Sequence, residues 1–187
     1  AGEASADLHA SAVVRELLTA NSDIEVYGVG GKHLQQAGAK IWFDFSQTGV
    51  VGVWEVIPKL RYFLKARSQL IKSIETEKPD LVLLLDLPDF NLSLAKKIKK
   101  LNPCQKIVYY ISPQIWAWRE GRVKLVKKYI DLMLVIFPFE VEFYQKAGVK
   151  VKFVGHPLVE RVKPSLARDE VRKKLGIKPD ELALLFL

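Results

Sequence analysis

Cysteine, histidine and long apolar runs are all scarce in this chain of 187 residues. The single cysteine, Cys104, excludes an internal disulfide framework and a multi-cysteine metal site. Three histidines without ligand-like spacing make a catalytic metal centre a poor expectation. No apolar stretch approaches the roughly 20 residues a membrane-crossing helix needs. The run Leu81–Leu85 has the length of a strand. The opening Ala1-Gly2-Glu3 has neither the basic start nor the apolar stretch of a signal peptide. Together these absences lead us to expect a reducing, cytoplasmic setting. Internal repeats and low-complexity tracts are missing too.

What is plentiful is apolar and basic. Hydrophobic residues make up 49% and charged residues 27%, enough to bury a core and to exclude disorder. Lys and Arg outnumber Asp and Glu by 29 to 21, a formal charge of +8. Such a balance suits a phosphorylated substrate, an acidic membrane surface or nucleic acid. A lysine-rich solvated surface explains it equally well, and charge alone decides nothing.

Short apolar segments alternate with amphipathic ones along the chain. Strands are predicted at 24–29, 81–85, 107–111, 132–136 and 151–154. Helices are predicted from Ser5 through Leu18, after Gly31 to about Ala37, and over 54–76, 92–100, 119–128, 139–147 and 168–175. Strands without polar alternation, separated by helices, indicate a parallel sheet covered on both faces. The fold class is α/β and Rossmann-like. The opening Ala1–Ser5 reads as a turn after a strand that is absent here, so the first strand is expected to be missing. Residues 182–187 read as the start of a further buried strand. The expected organisation is one domain over 1–160, then a linker and the start of a second over 161–187.

In an open parallel sheet, ligands bind beyond the carboxyl ends of the strands. The sharpest candidate there is Asp86, delivered by Leu81–Leu85. A carboxylate in that cleft can take the proton of a sugar hydroxyl as it attacks. Asp89 has a competing use as cap of the following helix. The segment Ala1–His9 offers small residues and a helix start to a polar or anionic ligand, and Ser5 is also a plain cap. Gly28, Gly30 and Gly31 lack full dinucleotide spacing and read as a tight turn. Trp116 and Trp118 would face a sugar or an acyl chain, with Arg119 or Arg122 on a phosphate; equally, both indoles could pack the loop. His156 reads more simply as a structural hydrogen-bonder than as a catalyst. Around Val51, Val53, Trp54, Ile57, Leu60 and Phe63, bulky apolar groups mix with Lys59, Arg61, Lys65 and Arg67. That mixture suits docking on an acidic membrane or an ordinary core helix with a basic outer face.

At these segments the sequence resembles the lipid-A-disaccharide synthases. The family's AGEASGDLHG stands here as AGEASADLHA from Ala1 to Ala10, and its IDAPDFN as LDLPDFN from Leu85 to Asn91. Its YVSPSVWAWR is YISPQIWAWR from Tyr110 to Arg119. Its VMG-x-x-EV element resembles Val51 to Val56, its PFE-x-x-FY is intact from Pro138 to Tyr144, and its VGHPL from Val154 to Leu158. The match is collinear over almost the whole chain. Ala6 and Ala10 replace glycines, and Val51 a methionine.

The resemblance implies the amino-terminal, acceptor-binding half of a GT-B enzyme that needs no metal and no cofactor. Its family moves 2,3-diacylglucosamine from a UDP donor to 2,3-diacylglucosamine 1-phosphate, inverting the anomeric centre and releasing UDP. Asp86 would be the general base, Glu3, Ser5 and Asn91 would shape the acceptor site, and Arg119 would assist with phosphate or loop geometry. Implied partners are the two lipid sugars and the anionic inner-membrane surface, on which the protein would sit peripherally. A chain lacking the donor domain is expected not to turn over by itself. The alternatives are another GT-B envelope glycosyltransferase with a lipid-linked acceptor, or a non-catalytic membrane-binding α/β module. Nucleic acid is a poor fit, because the aromatic and basic residues follow no recognised module.

Overall fold

The computed structural model describes residues 4–43, 56–116, 120–159 and 162–184, with the backbone alone at 56–63 and at 120. Two compact units emerge, Ala1–Gly155 and His156–Leu187. The larger one runs α1 (Ala4–Ala20), β1 (Tyr27–Val29), α2 (Lys32–Gln36), β2 (Lys40–Phe43), α3 (Val56–Glu77), β3 (Leu81–Leu85) and α4 (Pro88–Leu101). It continues through β4 (Lys106–Tyr110), a 3-10 turn at Glu120–Arg122, α5 (Val123–Tyr129), β5 (Leu132–Val135), α6 (Pro138–Lys146) and β6 (Val151–Phe153). Every strand pairing is parallel: β1 with β2, and β3, β4, β5 and β6 side by side in chain order. Parallel neighbours require crossovers, and right-handed crossovers in that order place α4, α5 and α6 on one face. The expected Rossmann-like α/β fold is observed.

Local chemistry sets the boundaries. Pro88 starts α4 and Pro138 starts α6, at first-turn positions where a missing N–H is no loss. The buried Glu140 side chain returns to accept from the Phe137 N–H at 3.1 Å, closing the start of α6. The same helix stops where Gly148 turns left-handed, at φ 70°. There Gly148 N–H donates to Gln145 O and Val149 N–H to Tyr144 O.

The main core lies against the four-stranded sheet. Ile107, Tyr109, Val126, Met133, Val135 and Tyr144 are fully buried within it. A smaller cluster of Val14, Leu34, Ala37 and Ala39 joins α1 and α2 near the two-stranded sheet. Between β1 and β3 lies a cavity of about 470 Å³, walled by both strand edges and by Val14, Leu17, Leu70 and Leu94 of the flanking helices. Leu81 and Leu83 look into it and are 51% and 37% exposed.

Three expectations are corrected. Strand β2 was not foreseen. Helix α4 begins at Pro88, four residues before the expected Leu92. Residues 182–184 form no strand, and Leu182 and Leu184 are 88% and 77% exposed; among the described residues they have no strand to pair with. The smaller unit holds α7 (Arg168–Lys174), closed by Arg172 donating to the Lys178 and Glu181 carbonyls.

Candidate functional site

At the carboxyl edge of the large sheet, two neighbouring strands end alike. Leu85 is in register with Tyr110, so Asp86 and Ile111 leave β3 and β4 side by side. Both are left-handed, at φ 64° and 62°. Leu87 follows at φ 39° and precedes Pro88, whose ring disfavours the right-handed helical region for it. Side chains without a glycine's freedom are strained there, by about 1–3 kcal/mol each. Ile111, being β-branched, is a genuine outlier.

Buried neighbours hold the strained turn in place. Asn91, from the first turn of α4, donates its amide hydrogens to Leu85 O at 3.0 Å and Asp86 O at 2.5 Å. The Tyr109 hydroxyl, from β4, donates to the same Asp86 carbonyl at 2.6 Å. Burial raises the Tyr109 pKa; Asn91 opposes this, and the Asp86 charge adds to it. The hydroxyl is therefore a fixed donor near neutrality. With its backbone clamped, the half-buried Asp86 keeps one carboxylate oxygen, Oδ2, buried and without a hydrogen-bond partner among the described residues. An unmet buried acceptor costs free energy unless a ligand satisfies it.

A second layer surrounds this turn. The Ser112 hydroxyl is hydrogen-bonded to the Tyr144 hydroxyl at 2.7 Å and lies 3.0 Å from Pro113 O. Burial pushes Tyr144 up to about 12, against the opposing Ser112 bond. Asp89 forms an ion pair with Arg122, tying the loop after β3 to the segment after β4. Farther along the rim, Phe137 and Phe139 stack at 5.7 Å, and Trp116 meets Phe139 edge-on at 4.8 Å.

The expected residues fare differently. Asp86 and Asn91 are brought together, but Asn91 acts on the backbone beneath Asp86 through its amide. Asp89 does not cap α4: the cap position is Leu87, and Asp89 sits inside the first turn against Arg122. Arg122 therefore has at least one of its guanidinium donors engaged by Asp89. Ser5 lies exposed on the first turn of α1, and no hydrogen bond joins it to Asp86 among the described residues. Nearby, the buried Asp7 accepts from the backbone N–H groups of Gly31, His33 and Leu34 at 2.7, 3.0 and 3.3 Å. This explains the glycine turn: a Cβ on Gly30 would fall 2.8 Å from the Asp7 carboxylate. Arg67, expected in the basic docking patch, instead donates to Ser93 at 2.8 Å. His156 accepts from the Leu158 N–H in a local turn. Glu3, Val51, Val53, Trp54 and Arg119 lie outside the described residues, as do the side chains of Ile57, Leu60 and Phe63.

Tyr109 was not singled out from sequence. A tyrosine in a buried strand must find a partner for its hydroxyl, and that signal was available.

An open parallel sheet that presents a half-buried carboxylate at its carboxyl edge defines a Rossmann-like α/β domain, a class in which ligands bind beyond the strand ends. The model of the family described as lipid-A-disaccharide synthetase matches residues 1–187, and the chain belongs to that family. It is 48% identical over 179 residues to the lipid-A-disaccharide synthase of Geobacter metallireducens, covering 96% of this chain and 46% of that protein. It is 46% identical to lipid-A-disaccharide synthase 1 of Legionella pneumophila strain Lens, and 42% identical to the Myxococcus xanthus synthase. Each of those two matches covers 100% of this chain and 48% of the relative. The chain thus spans about half the length of these relatives.

Proposed function

We propose that this segment is the acceptor-binding half of a glycosyltransferase of lipid A biosynthesis. The complete protein transfers 2,3-diacylglucosamine from UDP to 2,3-diacylglucosamine 1-phosphate. Residues 1–160 form the acceptor domain, and 161–187 lead into a donor-binding domain. In the reaction, Asp86 Oδ2 takes the proton of the acceptor hydroxyl as that oxygen bonds to the anomeric carbon. The bond from that carbon to the UDP oxygen breaks on the opposite side, so the centre inverts and UDP leaves with the bonding pair. No metal takes part. Glu3, Ser5 and Arg119 line the acceptor site, and Asn91 holds the base in place. The apolar and basic segment around Val51–Phe63 rests on the anionic inner membrane, with the 45% exposed Leu64 and exposed Lys65 continuing it. No described helix is long and apolar enough to cross a membrane.

The observation that carries this reading is the buried Oδ2 of Asp86, without a hydrogen-bond partner among the described residues, on a left-handed turn clamped by Tyr109 and Asn91. Replacing Asp86 with Asn in a full-length version removes the proton acceptor at nearly constant shape. UDP release should fall by about 10²–10⁴-fold, the usual worth of a general base. The circular dichroism spectrum and melting temperature should stay unchanged. An Asn variant that keeps its rate means the base lies elsewhere.

A further inference from the structure

We propose that Trp116, Phe137 and Phe139 form a subsite for one acyl chain of the acceptor, with the Trp116 indole N–H donating to the carbonyl at the root of that chain. The proposal rests on the reading of the acceptor as an acylated sugar. The indole Nε1 is buried and has no hydrogen-bond partner among the described residues. A buried donor of this kind is unfavourable until something accepts from it. Beside it, Phe137 and Phe139 are 38% and 51% exposed, unusual for large apolar rings that already stack on each other. The edge-on contact with Trp116 joins the rings and the donor into one surface.

The chemistry of the surface selects its ligand. A sugar face stacked on an aromatic ring brings hydroxyls that need several polar partners, whereas both phenylalanines add only carbon. One donor beside a strip of apolar rings matches an amide or ester carbonyl followed by a hydrocarbon chain. The placement agrees. Tyr110 of β4 pairs with Leu134 of β5, so the chain leaving β5 at Phe137 stands two strands over from Asp86. Two strand spacings are about 10 Å. A sugar whose hydroxyl meets Asp86 can therefore reach the aromatic rim with an acyl substituent.

The test compares diacylated glucosamine 1-phosphate in detergent micelles with its deacylated form, using full-length protein and measuring Kd for both. Phe139→Ala should weaken the acylated ligand about tenfold or more, from the apolar burial it removes. Trp116→Phe keeps the ring, loses the donor and should weaken it about three- to tenfold. Neither variant should alter binding of the deacylated sugar. In nitrogen-15 spectra, the indole resonance missing from Trp116→Phe should move downfield on adding the acylated ligand only. Equal losses for both ligands would assign the rings to the sugar or to the fold and overturn the proposal. An unmoved indole resonance would do the same. A normal rate in Asp86→Asn, by contrast, removes the base assignment and leaves the acyl contrast standing.

Discussion

The two sheets beside the 470 Å³ cavity are built from the same kind of parallel strand, yet different forces hold them. The four-stranded side rests on a continuous core in which Ile107, Met133 and Val135 have no exposure at all. Its strands are held mainly by that shared apolar core, with Asp131 adding one polar tie at the start of β5. The two-stranded side has a cluster of just four buried apolar residues among those described, Val14, Leu34, Ala37 and Ala39, with Ala10, Leu18, Val26 and Ile41 partly buried against it. What it lacks in burial is supplied by one carboxylate, Asp7, which bonds three backbone N–H groups at the start of α2. A region short of apolar surface thus leans more heavily on its polar tie than the larger core does.

The largest break in this contrast comes from the core side. Met133→Ala should destabilise the protein by about 2–5 kcal/mol, the usual range for a buried large-to-small change. Because the core is shared across the sheet, amide protection should fall throughout β3–β6. Asp7→Ala leaves three backbone donors without their acceptor, worth about 2–3 kcal/mol. Its effect should stay local: hydrogen exchange should accelerate in α1, β1 and α2 and stay slow in β4 and β5. If exchange accelerates equally everywhere, the two regions are one cooperative unit and the comparison fails. Gly30→Ala tests the same tie from the other side. Its Cβ would sit 2.8 Å from both the Asp7 carboxylate and the Leu34 side chain. A melting-temperature loss corresponding to about 1–3 kcal/mol is expected from such overpacking, and Asp7→Ala should relieve part of it in the double variant.

The same contrast explains what could be read in the sequence. Leu81–Leu85 is apolar without alternation and bounded by Asp80 and Asp86, so strand β3 and the residue it delivers were both visible. β2 was not: Lys40-Ile41-Trp42-Phe43 is four residues long, shows no clear period, and becomes a strand only by pairing with β1. The start of α4 was placed late because Leu92 begins the apolar stripe, whereas Pro88 begins the helix. Asp86 was legible as the residue that β3 delivers, and Asn91 only through the family resemblance. Their supports were not, since Tyr109 lies 23 residues from the carbonyl it holds and Asp7 lies 24 to 27 from its partners. Periodicity reports which residues face a core, but it carries no record of which distant backbone a polar side chain will reach.

Asp131 gives the finest test, because it performs on the large sheet a weaker version of what Asp7 does on the small one. It accepts from the Ile107 N–H at 2.7 Å and from Lys99 at 2.8 Å, fastening the start of β5 to β4. Burial works against its ionised form, but the Lys99 and Ile107 bonds outweigh that and hold its pKa below the usual value. A carboxylate with a depressed folded-state pKa adds stability above its unfolded pKa of about 3.9 and loses it as pH falls through the lower folded value. Its side chain is 34% exposed, so solvent screens the pair and the contribution should be only about 1 kcal/mol. Urea unfolding at pH 7 should therefore find Asp131→Asn less stable than the parent by that margin. The gap should narrow as the pH is lowered below about 3.9, where the unfolded parent takes up the proton first, and close below the lower folded value, where the charge is lost in both states. A gap that persists unchanged at low pH would mean that the bond geometry at β5, rather than the carboxylate charge, supplies the stability.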